Sequence, residues 1–181
     1  KCIISEISDL SVDYLLNENI ERSQDNLIFI GCSPCQYYSK IVTNKEKSEK
    51  TKYLLDYFLS FVEYYYPAYI FIENVPGFDK KDESPICKFK DYLRENGYTF
   101  KDGTVNAKYY NVPQNRNRYV LLASRINKKV IFPEENRKQL LSVKKAIGDT
   151  KIFKKIEAGH IDKTSFQHTS AGLSEKNLKR I

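Results

Sequence analysis

Three short stretches of this 181-residue chain carry side chains able to do chemistry together. The first is Cys32, Ser33, Pro34, Cys35 and Gln36, directly after the apolar run Leu27-Ile-Phe-Ile30 and Gly31. The second is Glu73 and Asn74, directly after Tyr69-Ile-Phe-Ile72, and the third is Gln114, Arg116 and Arg118 at alternate positions. A thiolate is a soft nucleophile for an electron-poor carbon, and nearby cations lower its pKa from about 8.5 toward neutrality. A carboxyl group beside a ring nitrogen can hydrogen-bond or protonate it, and a guanidinium can hold a carbonyl oxygen on which charge builds. Such a set suits attack on C6 of a pyrimidine.

These stretches can meet only if the fold brings them together. Leu27 to Ile30 reads as a strand buried on both faces and closed by Gly31. From Glu46 to Tyr66 the period becomes helical: Leu54, Phe58, Phe61, Val62 and Tyr65 share a face, Lys52, Asp56, Ser60 and Glu63 lie opposite, and Pro67 ends the run. Tyr69 to Ile72 is a second strand, with Asn74-Val-Pro-Gly77 as its turn. Strand, helix and strand make a right-handed βαβ unit with parallel strands. A helix over Pro85 to Glu95 ends at Asn96-Gly97, strands follow over Tyr98 to Asn106 and Arg118 to Ser124, and a short helix covers Val143 to Ile147. The tail from Lys151 is polar, basic and loop-like. Loops at the carboxyl ends of parallel strands share one sheet edge, where ligands bind. If the strand from Arg118 runs antiparallel to its neighbours, its start lies at that edge with the thiol and the carboxylate.

In this order and spacing, Pro34-Cys35-Gln36 with Ser39, Glu73-Asn74-Val75, and Gln114-x-Arg116-x-Arg118 resemble the signature blocks of the DNA (cytosine-5)-methyltransferases. The resemblance implies a Rossmann-like, S-adenosylmethionine-dependent α/β fold, a mixed sheet with one antiparallel strand, and duplex DNA as partner. It implies methyl transfer to C5 of a flipped cytosine, of restriction-modification type, with Cys35 as nucleophile and Cys32 a small buried residue. Gln36 would contact substrate, Glu73 the cytosine N3 and exocyclic amine, and Arg118 its O2. Arg116 would support the active-site loop or a phosphate, Gln114 would order that loop, and Asn74 would brace its own. For the cofactor, Asp9 resembles an acidic position at a strand end, Leu54 a leucine packed nearby, and Pro34 a further contact. An ordinary surface or capping aspartate is the alternative for Asp9. A transfer RNA methyltransferase would carry a Cys-Phe-Thr insertion, which is absent, and a silent DNA-binding homologue would have no need of Cys35 and Glu73. A zinc or redox role for Cys32 and Cys35 lacks a second ligand pair, and no metal is implied.

The remaining sequence sets the bounds. Thirty Lys and Arg against 23 Asp and Glu give a formal charge of +7, which alone indicates a solvated basic surface compatible with nucleic acid. The four cysteines form no disulfide framework, and nothing resembles a membrane span or signal peptide, so the expected location is the cytoplasm. Complete family members open with a Phe-x-Gly-x-Gly cofactor loop, whereas none of the seven glycines here forms a Gly-x-Gly pair. Residues 1–150 are therefore expected to be a partial catalytic domain without that loop and without the first strands, and 151–181 the passage toward a target recognition domain. The chain, which has no Met, is expected to lie inside a longer product. By itself it would be inactive and leave the Leu27 to Ile30 strand partly uncovered. A complementary polypeptide supplying the cofactor loop and the target domain is one explanation; a shortened piece of a longer protein is another.

Overall fold

The computed structural model describes residues 4–32, 53–77, 79, 84–164 and 169–178. The chain divides into two compact units, Lys1–Ala107 with Asn115–Glu135, and Lys108–Gln114 with Asn136–Ile181.

The first unit is built on strands β1 (Ile28–Gly31), β2 (Tyr69–Asn74), β3 (Thr99–Asn106) and β4 (Asn117–Ser124), in the sheet order β1-β2-β4-β3. β1 and β2 are parallel, while β4 lies between β2 and β3 and runs antiparallel to both. This is the α/β arrangement expected from the sequence, a mixed sheet with one antiparallel strand. Helices α1 (Leu54–Tyr65) and α2 (Pro85–Glu95) supply Leu55, Leu59, Val62, Ile86, Phe89 and Leu93 to the core beneath Ile70, Ile72, Tyr119, Leu121 and Ala123. Strict alternation along β2 sends Ile70, Ile72 and Asn74 into this layer and leaves Glu73 on the opposite face. Each fully buried aliphatic side chain contributes about 1.5–3 kcal/mol, so the core fixes the strand register that positions Glu73.

Local sequence explains the helix ends. Tyr66 adopts φ +46°, its N–H donates to Val62 O at 2.9 Å, and Pro67 cannot continue α1. Pro85 opens α2 in its first turn, and Gly97, at φ +73°, follows its end. Gly31 answers a steric demand, because a Cβ there would stand 3.0 Å from the Phe58 ring, itself stacked on Phe89.

Two sequence expectations need correction. β1 is not buried on both faces: Ile28 and Ile30 are 57% and 70% exposed, because β1 ends the sheet order and only its Phe29 face is covered, by Phe58 and Tyr65. The buried stripe of α1 is also turned, with Leu55 and Leu59 in the core and Leu54 and Phe58 half-buried. This helix packs against β1, α2 and two N-terminal 3-10 turns, Ile7–Asp9 and Val12–Glu18, which widens its apolar arc.

In the second unit, Ser142 Oγ accepts the Lys145 N–H at 3.1 Å and caps α3 (Val143–Ile147), the helix expected there. The tail is mostly turns, as expected, but Asn177 N–H donates to Ser174 O at 2.9 Å and a one-turn helix, α4 (Glu175–Leu178), forms near its end. No helix among the described residues is long and apolar enough to cross a membrane.

Candidate active site

Register brings three functional groups to one edge of the sheet. Because β1 and β2 are parallel with Gly31 opposite Ile72, the next residue of each, Cys32 and Glu73, meet at the carboxyl ends of the strands. Because β4 is antiparallel with Val120 opposite Glu73, Arg118 stands diagonally across from Glu73 on the same face. Arg118 Nε lies 2.6 Å from Glu73 Oε1, and Cys32 Sγ donates to Glu73 Oε2 at 2.9 Å. Glu73 is therefore held at both oxygens from the strands on either side. The side chains of Arg118 and Glu73 are 25% and 26% exposed, accessible to a ligand yet dry enough for the pair to set geometry. Arg118 Nη1 also donates to Asn117 O at 2.8 Å.

The opposite face of the sheet holds β4 in place. Tyr119 is fully buried and donates through its hydroxyl to Asp102 Oδ2 at 2.8 Å, and Lys90 Nζ lies 3.0 Å from the same oxygen. Burial first, and then the bond to Asp102, push the Tyr119 pKa far upward, so the hydroxyl remains a donor. Asn106 Nδ2 donates to Asn115 Oδ1 and Asn117 Oδ1 at 2.8 and 2.7 Å, tying the end of β3 to the start of β4. Asn74 is buried, and its Oδ1 accepts the Val75 N–H at 2.8 Å, bracing the turn that follows β2.

Near Cys32, a cavity of about 290 Å³ is lined by Glu6, Ile7, Ile30, Gly31, Leu54 and Phe58, together with Cys32 and Leu55. Leu54, expected from the sequence to pack near a cofactor, is one of the residues lining this cavity. Asp9 does not line the cavity, nor does it end a strand: it is exposed and closes the Ile7–Asp9 turn through its N–H to Glu6 O at 3.1 Å. The Ser8 hydroxyl bonds its carboxylate at 3.2 Å, the kind of local competition that favours a turn over a strand.

A family model for C-5 cytosine-specific DNA methylases matches residues 3–180. The chain belongs to this family. A type II methylase from Herpetosiphon aurantiacus is 28% identical over 180 residues, which are 98% of this chain and 48% of that protein. A type II methyltransferase from Avibacterium volantium is 29% identical over 191 residues, 99% of this chain and 51% of that protein. The chain thus spans about half the length of these two relatives. Among solved structures, an Entamoeba histolytica methyltransferase superposes with a TM-score of 0.57 at 21% identity, covering 75% of this chain and 42% of that one. The fold is that of the methyltransferases.

For a cytosine-5 methylase chain, the sequence-derived set divides as follows. Glu73 and Arg118 meet at the sheet edge, Asn74 turns its side chain to the buried face and braces the following turn, and Arg116 is exposed just before β4, its carbonyl accepting the Ala107 N–H at 3.0 Å. Gln114 belongs to the second unit, and Pro34, Cys35, Gln36 and Ser39 lie outside the described residues. Cys32 is the residue that sequence reasoning misread: it is exposed, and it bonds Glu73. The signal was present, since parallel pairing of the Leu27–Ile30 and Tyr69–Ile72 runs already sets 32 beside 73.

Proposed function

We propose that this chain carries the catalytic centre of a DNA (cytosine-5)-methyltransferase of restriction-modification type. The observation that carries this reading is the Glu73–Arg118 pair at the carboxyl edge of the sheet, in a chain of this family. The cytosine is flipped from the duplex because its reacting atoms are inaccessible in the stack. Cys35 adds its sulfur to C6, and the electron pair of the C5–C6 bond becomes available at C5. Glu73 accepts from the exocyclic amine with one oxygen. Its other oxygen takes up the proton that the Cys35 thiol gives up on becoming a thiolate and delivers it to N3, which makes C6 electron-poor as the sulfur arrives, and takes it back when the ring is restored. Arg118 holds Glu73 and directs guanidinium N–H groups toward the O2 carbonyl, with Arg116 on the loop or a phosphate. After methylation, loss of the C5 proton and expulsion of the Cys35 thiolate restore the ring.

S-adenosylmethionine, when bound, supplies the electrophilic methyl group. The apolar cavity formed by Ile7, Ile30, Leu54 and Phe58, with Glu6 at its border, fits a flat heteroaromatic portion of that molecule beside a hydrogen-bonding carboxylate. Leu54→Arg is therefore expected to weaken cofactor binding by about tenfold or more in calorimetry, because a charge would enter an apolar site. Asp9→Asn should leave binding unchanged. Loss from Asp9→Asn without loss from Leu54→Arg would move the cofactor away from this cavity.

Transfer of a tritiated methyl group tests the activity. With an enzyme preparation containing this chain and duplex DNA, label is expected in 5-methyldeoxycytidine after digestion. Label in transfer RNA alone, or DNA binding without any transfer, would overturn the proposal in favour of an RNA enzyme or a silent binding protein.

A further inference from the structure

Glu73 is the side chain on which the proposed chemistry turns, and its orientation depends on two donors from two different strands. Arg118 takes Oε1 at 2.6 Å from β4, and the Cys32 thiol takes Oε2 at 2.9 Å from the end of β1. A carboxylate held at one oxygen can still rotate about its last torsion, which is broad for Glu. A second donor on the other oxygen removes that freedom and fixes the carboxyl plane. We propose that Cys32 is a positioning residue for Glu73, holding Oε2 until an incoming base replaces it. This rests on the reading of Glu73 as the group that contacts the base.

The choice of a thiol is chemically apt for a donor that must yield. An S–H group is a weak donor, so it orders the carboxylate without competing strongly against the N–H of a base. A residue without a donor at position 32 would leave Oε2 to water, and the carboxylate would have to reorganise when the base arrived. Cys32 lies at the edge and is exposed, so a base can displace its hydrogen bond without unpacking the core.

Alkylation of Cys32 tests the contact without needing DNA or a methyl donor. The 181-residue chain is treated with iodoacetamide at neutral pH, and fragmentation mass spectrometry assigns the label, with Cys87 as internal control. Glu73→Gln removes the negative charge beside the thiol and leaves Arg118, so Cys32 is expected to react about tenfold faster. Arg118→Gln removes the positive charge and leaves the carboxylate, so Cys32 is expected to react more slowly than in the parent. The opposite signs separate coupling from unfolding, which would accelerate labelling in both variants and at Cys87. In the active enzyme, Cys32→Ala is expected to lower kcat about fivefold with little change in KM, and Cys32→Ser to restore it. Equal labelling of Cys32 in the parent and both charge variants would overturn the proposal, as would a Ser variant no better than Ala. The methyl-transfer assay fails or succeeds independently of the labelling, so the loss of one reading is distinguishable from the loss of the other.

Discussion

DNA carrying 5-fluorocytosine is expected to form a denaturant-resistant adduct with an active enzyme containing this chain. Replacing Cys35 with Ser is expected to abolish the adduct, and Cys32→Ser to leave it. Once sulfur has added to C6 and methyl to C5, release of the enzyme requires loss of the substituent at C5 as a cation, and fluorine cannot leave that way. The attacking cysteine therefore stays attached and can be identified. Two thiols three positions apart compete for this assignment, and the geometry weighs against Cys32. Its sulfur is a hydrogen-bond donor to Glu73 Oε2 at 2.9 Å, so it is engaged in holding the carboxyl group. It also occupies an oxygen that the mechanism needs for the base, so it cannot remain on that oxygen while the base binds there. An adduct that survives Cys35→Ser and disappears with Cys32→Ser would reverse the roles of the two cysteines.

Most of the fold near Glu73 was legible because it is local and periodic. The α2 limits, Pro85–Glu95, follow from a proline that is tolerated only in the first turn and an Asn-Gly pair that stops the last one. The antiparallel course of β4 entered the sequence reading only as a condition, since no local pattern dictates strand direction. Once it is met, Arg118 falls beside Glu73. Burial of β1 was misread because an apolar run of Leu, Ile, Phe and Ile looks the same at the edge of a sheet as at its centre; the difference lies in what stands beside it. Asp9 ends no strand and is exposed, as the alternative of an ordinary surface aspartate has it. A resemblance in residue type suggested a strand end, whereas short-range bonds from Ser8 and to Glu6 make a turn. Cys32 is exposed rather than buried, and the residue it bonds, Glu73, is 41 positions away, beyond the reach of any local pattern.

Glu73→Gln is expected to separate binding from turnover. The amide keeps the shape of the side chain and an oxygen able to accept from Arg118, but it carries no charge and has no proton to give to a ring nitrogen. DNA affinity resides largely in phosphate contacts made elsewhere, so binding is expected to change by less than about twofold at fixed salt. Turnover is expected to fall by about 10²-fold or more, equivalent to roughly 2.7 kcal/mol in the barrier, because activation of C6 depends on proton donation toward N3. Folding stability should fall by no more than about 1 kcal/mol, since both partners of the Arg118 pair are a quarter exposed and solvent screens much of their attraction. These magnitudes differ enough to assign the role from three measurements: filter binding, single-turnover methylation and chemical denaturation. Parallel loss of binding and turnover with a large drop in stability would make Glu73 a structural brace for the sheet edge. Loss of turnover alone, with the fold and the DNA complex intact, requires the carboxyl group at the reacting base, because an amide of the same shape fills the same space and lacks only the charge and the proton.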